Sequence, residues 1–202
     1  LKDHLEAMTG AAFPVVKESV FDGQSPALYV GRTRFAEANG VAFDSLEQEA
    51  WLYKTVGENL ILSGGKTGTI YAVCEFLERE LGCRWFTFES SWTPSLPEIQ
   101  FKAWNRSGKP AFRHRDLYVP HWSLGLTGER NRDYLRFIKR NRGNQMDSPL
   151  RMSHRPGTCH TFYQYVSWEK LFDTHPEYFS MNEKGERFHG PNLHSQGQLC
   201  LS

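Results

Sequence analysis

The sequence predicts an α/β chain in two parts, and three observations carry that prediction. From Asn59 to Phe86 an apolar run, a glycine turn and an amphipathic run follow one another, the strand–turn–helix order that builds an α/β layer. Glu49 to Val56 alternates and turns at Gly57-Glu58 into that strand, as an antiparallel hairpin does. Near residue 102 the composition shifts. Beyond it a strand pattern, a loop and a helix pattern succeed one another like the unit of a (β/α)8 barrel. The expected architecture is a small mixed-sheet α/β sandwich over residues 1–104, with its helices on one face. Residues 105–202 then supply the first strands and helices of a (β/α)8 barrel, left incomplete.

Taken in order, Leu1, Leu5 and Met8 fall at helical spacing and Gly10 ends that helix. Phe13 to Val16 reads as a short strand, Phe21-Asp22-Gly23 as a turn, and Ala27 to Val30 as a second strand closed by Gly31. Arg34 to Asn39 is a short helix stopped by Gly40. In the hairpin, Trp51, Tyr53 and Thr55 share one side and Leu52, Lys54 and Val56 the other. The helix after the glycine turn carries Ile70, Val73, Leu77 and Leu81 on one stripe, widened by Phe76, and Gly82 stops it. Cys83 to Phe88 is extended. Trp92 to Lys109, with Pro94, Pro97 and Gly108, reads as a linker.

In the second part Ala111 to Val119 is a strand, with Phe112, His114, Asp116 and Tyr118 on one side and Arg113, Arg115, Leu117 and Val119 on the other. Pro120-His121-Trp122 ends it. Glu129 to Arg142 is a helix whose apolar stripe is Tyr134, Phe137 and Ile138 beside Leu135. Asn144 to Met152 is the candidate second strand, Trp168 to Thr174 a short helix, and Leu199 to Leu201 the start of a third strand. The chain begins at Leu1 and ends on a strand-like run, so a longer parent protein is expected. On this reading residues 105–202 alone, with open sheet edges, are aggregated or molten, whereas residues 1–104 are the better placed of the two to fold.

Net charge is +1, yet it is unevenly placed: −6 over residues 1–101, +9 over 102–155 and −2 over 156–202. No run of 18 apolar residues offers a membrane span. The four cysteines, Cys74, Cys83, Cys159 and Cys200, match no zinc spacing and read as free or buried thiols, although Cys159 and Cys200 can pair if their strands are neighbours. Gly65-Lys66-Thr67 imitates the end of a phosphate-binding loop. That loop needs a glycine where Leu60 stands, and the dinucleotide pattern fails because Lys66 follows Gly64-Gly65. A plain strand-to-helix turn is the reading, with no cofactor.

Five of the eight histidines, His154, His160, His175, His189 and His194, lie in one loop-like stretch, none at the i, i+4 spacing of a helical metal site, so no metal is expected. Arg130, Arg132, Arg136, Lys139, Arg140 and Arg142 are spread around their helix. They read as a solvated surface, with a field for an acidic sugar as the sharper alternative and nucleic acid the weakest. Trp122, Phe162, Tyr163 and Trp168 are the aromatics near the expected barrel mouth. Trp122, directly after a strand end, is the one favoured for stacking on a sugar; Phe162 and Trp168 read as core.

Several motifs carry a family resemblance. Gly64 to Val73 with Phe76-Leu77, then Leu81-Gly82-Cys83-Arg84-Trp85-Phe86, resembles the small N-terminal domain that precedes the barrel in α-glucuronidases and β-hexosaminidases. Phe112-Arg113-His114-Arg115-Asp116 and His121-Trp122 resemble the first barrel strand of those enzymes. Cys159-His160-Thr161-Phe162, His175-Pro176-Glu177-Tyr178-Phe179 and Gln198-Leu199-Cys200-Leu201 are similar to a bacterial family of uncharacterised, glycoside-hydrolase-like proteins. The resemblance implies that Arg115 matches an arginine holding sugar hydroxyls and that His121 and Trp122 match a site-lining pair. Ser123 departs, standing where those enzymes carry an acid. The implied substrate-binding set is Arg115, His121, Trp122 and His160.

The resemblance further implies a carbohydrate-active hydrolase, with poly- or oligosaccharides as substrate, uronic-acid-containing ones among them, and a periplasmic or secreted location. The alternative is a non-catalytic carbohydrate-binding or surface-assembly protein on the same scaffold. The catalytic residues are unknown: Asp116 and Glu177 are the tempting carboxylates, but Asp116 reads as structural, Glu177 as a loop residue, and in the resembling enzymes the catalytic pair comes from later strands. Oligomeric state is left open. For Arg115 two roles compete, a fork for sugar hydroxyls or a uronic carboxylate, and a partner for an acid on a covering helix.

Overall fold

The computed structural model describes residues 1–115, 127–144 and 166–188. These fall into two compact units, Leu1–Pro149 and Leu150–Ser202.

The first unit is built on a four-stranded mixed sheet in the order β1-β3-β2-β6. β1 (Leu28–Val30) runs parallel to β3 (Asn59–Gly64), and β2 (Trp51–Val56) pairs antiparallel with β3 from Val56↔Asn59 to Trp51↔Gly64. The hairpin forms in the expected register. Gly57 takes a φ of 58° at the first turn position, where the mirror-image turns that suit twisted strand pairs need it. β3 is central, and Leu60, Ile61, Leu62 and Ser63 are all fully buried because both faces are covered.

Alternation divides that burial. Leu60, Leu62 and Tyr53 face α1 (Lys2–Thr9) and α3 (Gly68–Arg79), packing with Leu5, Met8, Phe76 and Leu77. Ile61 faces the other way, against Ala36 of α2 (Arg34–Ala38), Val41 and the half-buried Tyr29 and Phe35. Helices therefore cover both faces rather than one, which corrects the one-sided layer read from the sequence. Glu18 fastens α2: its carboxylate accepts the N–H groups of Arg34 and Phe35, both at 2.8 Å, and those two bonds hold its pKa below the usual range.

Three further readings change. Phe13 to Val16 forms no strand; Phe13 packs against the main core as irregular chain, whereas Val15 and Val16 are exposed. The buried face of α3 is turned from the expected stripe: Tyr71, Cys74, Phe76 and Leu77 are buried whereas Ile70 is exposed. The stretch read as a linker contributes strands. Trp92, its first residue, belongs to β5 (Ser91–Trp92), which pairs with β4 (Arg84–Trp85) of the stretch read as extended, and β6 (Asn105–Gly108) pairs with β2, so the sheet runs past residue 104. Helix α4 (Gly128–Arg140) matches its prediction, with Tyr134 and Ile138 buried and Phe137 against the main core.

Residues 111–115 adopt no strand, and 116–119, like residues 145–152 of the strand expected from Asn144 to Met152 and the strand expected at 199–201, lie outside the described residues. In the second unit, α5 (Trp168–Leu171) is shorter than expected and leads to a 3-10 turn at Pro176–Tyr178. Phe179 is buried and meets Phe172 edge-on at 5.2 Å. A bridge from Met181 to Arg187 closes the turn at Gly185.

Candidate functional site

The glycine turn settles first, because it decides whether a phosphate site exists. Gly65 N–H donates to Ala50 O at 2.8 Å, and Thr67 and Gly68 N–H both donate to Gln48 O. The donors that would cradle a phosphate are thus committed to the chain just before β2. The glycines are needed for that approach: a Cβ on Gly65 would meet Glu47 O at 2.0 Å, and one on Gly68 would meet Ala50 O at 1.8 Å. Lys66 points outward and is exposed.

The same turn sets Tyr71 at the start of α3 opposite Glu49, whose carboxylate it bonds at 3.0 Å. Burial first, then the Glu49 charge, pushes the Tyr71 phenol up to about 12, so it remains a donor throughout the physiological range. Onto this pair comes Arg115. Its Nη1 and Nη2 grip the two oxygens of Glu49, at 3.2 and 2.5 Å. Nη2 also donates to the Tyr71 hydroxyl at 3.3 Å, Nη1 to Phe112 O, and Nε to Arg142 O at 2.6 Å. A guanidinium has five N–H groups, and here each has a protein acceptor. Of the two roles weighed for Arg115, the acid partner is present, though on the loop before β2 rather than on a helix.

Asn144, itself buried, locks the backbone beside it. Arg115 N–H donates to Asn144 Oδ1 at 2.9 Å, Asn144 N–H to Arg115 O at 3.0 Å, and Asn144 Nδ2 to Arg113 O at 2.8 Å. After α4 the chain therefore returns to lie against Arg113–Arg115. Arg142 supports the return from the other side: its guanidinium reaches Glu75 at 2.7 Å and Glu78 at 2.5 Å on α3. It does so from a left-handed backbone, φ 60°, unusual for a non-glycine residue.

Of the implied substrate-binding set, the structure brings Arg115 into this network. His121, Trp122 and His160 lie outside the described residues, as do Asp116, Cys159, Cys200, His154, His189 and His194, and also Phe162 and Tyr163. Trp168 opens α5. Glu177 is exposed and bonds His175 Nδ1 at 3.0 Å; hydrogen bonding from its own backbone and then from that ring holds its carboxyl below the usual range. Cys74 and Cys83 are free and buried, and burial pushes the Cys74 thiol up to about 11. Three cations of α4 have partners: Arg130 pairs with Glu89 at 3.0 Å, Arg136 with Asp133 at 3.0 Å, and Arg140 lies over the Trp85 ring. Among the described residues no group of three or more His, Cys, Asp or Glu stands together as a metal site requires, and no helix is long and apolar enough to cross a membrane.

Sequence reasoning missed Glu49, Tyr71, Asn144 and Arg142. Their partners in the network lie from 22 to 95 residues away, so no local pattern announces them.

Residues 85–202 match the family described as Domain of unknown function (DUF4838). The match spans more than half of the chain, and the chain belongs to that family. No curated protein and no solved structure matches it.

Proposed function

We propose that this member of the DUF4838 family is part of a carbohydrate-active, glycoside-hydrolase-like protein that acts on poly- or oligosaccharides, those containing uronic acids among them. The observation that supports this reading most is the return of the chain to Arg115. A segment, a covering helix and a second segment laid beside the first is how a (β/α) barrel starts, and Asn144 meets Arg113–Arg115 after α4 in that order. The motifs shared with α-glucuronidases and β-hexosaminidases add the substrate class, and the extracytoplasmic location rests on them alone.

In this reading His121, Trp122 and His160 contact the saccharide. Arg115 is the positioning residue: with its N–H groups held by Glu49, Tyr71, Phe112 and Arg142, it fixes the direction in which the chain leaves toward His121 and Trp122. A sugar hydroxyl reaches that guanidinium only by replacing one of those acceptors. The acid and base carboxylates, about 5–9.5 Å apart in such enzymes, come from elsewhere in the complete protein.

Trp122→Ala in the complete protein tests the assignment by calorimetric titration with neutral and uronic oligosaccharides. Loss of a stacking ring is expected to weaken both about tenfold or more, with the melting temperature unchanged. Wild-type protein that binds neither class, or a variant that binds both as tightly as wild type, contradicts it.

A further inference from the structure

Beside the Arg115 network, α3 and β6 enclose an open cleft of about 640 Å³ whose lining includes Arg79, Arg84, Arg106, Arg142, Glu75 and Glu80. Its guanidinium groups are held in a particular way. Arg79 gives only Nε to Glu75, and Arg106 gives only Nε to Glu80 at 3.0 Å. Among the described residues their Nη groups have no protein acceptor. Arg84 donates from Nη1 to two backbone carbonyls, Glu78 O and Cys83 O, both at 2.7 Å. It has no carboxylate partner among the described residues. Arg142 carries a buried Nε without an acceptor.

A carboxylate that takes the Nε edge orients the fork and leaves the Nη edge facing outward, the edge that grips a planar anion. The four arginines outnumber the three glutamates of the lining, Glu75, Glu78 and Glu80, so one positive charge is uncompensated, and Arg84 is where it resides. Past Arg79 and Arg106 the cleft continues into a hollow of about 420 Å³ beside the half-buried Trp51, Asn105 and Ser107. The Trp51 ring is a surface for a sugar ring, and it adjoins the guanidinium edges directly; Asn105 and Ser107, paired with Lys54 and Leu52, direct their side chains to the other face of the sheet.

We propose that this cleft is a binding subsite for an acidic saccharide: Arg84, with the Nη edges of Arg79 and Arg106, takes the carboxylate or sulfate, and Trp51 takes the neighbouring pyranose. The saccharide part rests on the carbohydrate reading above; the anion part does not.

The test is calorimetric titration of the complete protein with an oligogalacturonate, a sulfated oligosaccharide, a neutral oligosaccharide of equal length and inorganic phosphate. Arg84→Gln and Trp51→Phe are titrated beside wild type, with thermal melts as a folding control. The acidic saccharides are expected to bind more tightly than the neutral one and to weaken as salt rises. Arg84→Gln is expected to lose about tenfold for the acidic ligands, one charged hydrogen-bond pair, and nothing for the neutral one. Equal affinity for acidic and neutral saccharides, or unchanged acidic affinity in Arg84→Gln, overturns the proposal. Phosphate binding without saccharide binding overturns its sugar part. The hydrolase reading fails separately: Arg84-dependent binding by a protein inert on every glycoside keeps this subsite and removes that reading, whereas turnover without Arg84-dependent binding does the reverse.

Discussion

Replacing Arg115 by lysine keeps the charge and removes the fork. One ammonium cannot reach both oxygens of Glu49, the Tyr71 hydroxyl and the carbonyls of Phe112 and Arg142 together. Arg115 and Glu49 side chains are only 16% and 22% exposed, so the lost bonds are not fully replaced by water. Arg115→Lys is therefore expected to cost about 1.5–3 kcal/mol, the range of hydrogen bonds to charged groups. Thermal melts should show a drop of several degrees, about 2–4 °C per kcal/mol for a chain of this size. An unchanged melting temperature would mean that the network carries no stability and that Arg115 is free for another task. The motif around Arg115 was legible in the sequence, but its partner was not: Glu49 stands 66 residues earlier.

The elements show where pattern reading succeeds. The β2–β3 hairpin and α4 were legible because one periodicity repeats over a whole element. β6 was not: Asn105-Arg106-Ser107-Gly108 is polar and largely exposed, an edge strand held by backbone pairing and by Gly108 lying against the Trp51 ring. Phe13–Val16 failed in the opposite sense: it is apolar, yet only Phe13 packs on the core, and Val15 and Val16 pair with no strand. The turn before α3 separates two kinds of residue. Lys66→Ala should change stability by less than about 1 kcal/mol and affect no nucleotide binding, as at other exposed positions. Gly68→Ala should cost more than about 3 kcal/mol, because its Cβ has no room against Ala50 O. Urea titration measures both, and equal effects would refute the packing argument.

Glu80, just past α3, fastens the other edge. It accepts from Tyr53 and Trp104, both at 2.8 Å, and from Arg106 at 3.0 Å. Burial alone would raise its pKa; the bonds from Tyr53, Trp104 and Arg106 outweigh that and hold it below the usual value. A lowered folded-state pKa means that the unfolded chain binds the proton more readily. The stabilisation is then complete above the ordinary glutamate value, about 4.3, and is lost as pH falls through the lower folded value. Glu80→Gln should be less stable than wild type at pH 7 and approach it below about pH 4. A melting-temperature difference that stays constant from pH 7 to pH 3 would contradict this.

At the scale of the molecule, the charge shift near residue 102 is not where the first layer ends. β6, Arg115, α4 and Asn144 all attach to the sheet and α3. Residues 1–104 alone would expose the β2 edge and leave Glu49 and Glu75 without Arg115 and Arg142. Residues 1–149 are therefore expected to unfold cooperatively, and residues 1–104 with a broad transition or none, as followed by circular dichroism on heating. A sharp transition for 1–104 would show those attachments to be dispensable. The remaining question is the chemistry of the complete protein, and the direct measurement is release of the aryl group from a panel of aryl glycosides, glucuronides and galacturonides included, by that protein. The carbohydrate reading predicts turnover of at least one member, diminished in Trp122→Ala. No turnover of any member, with no binding of any saccharide by titration, would contradict it.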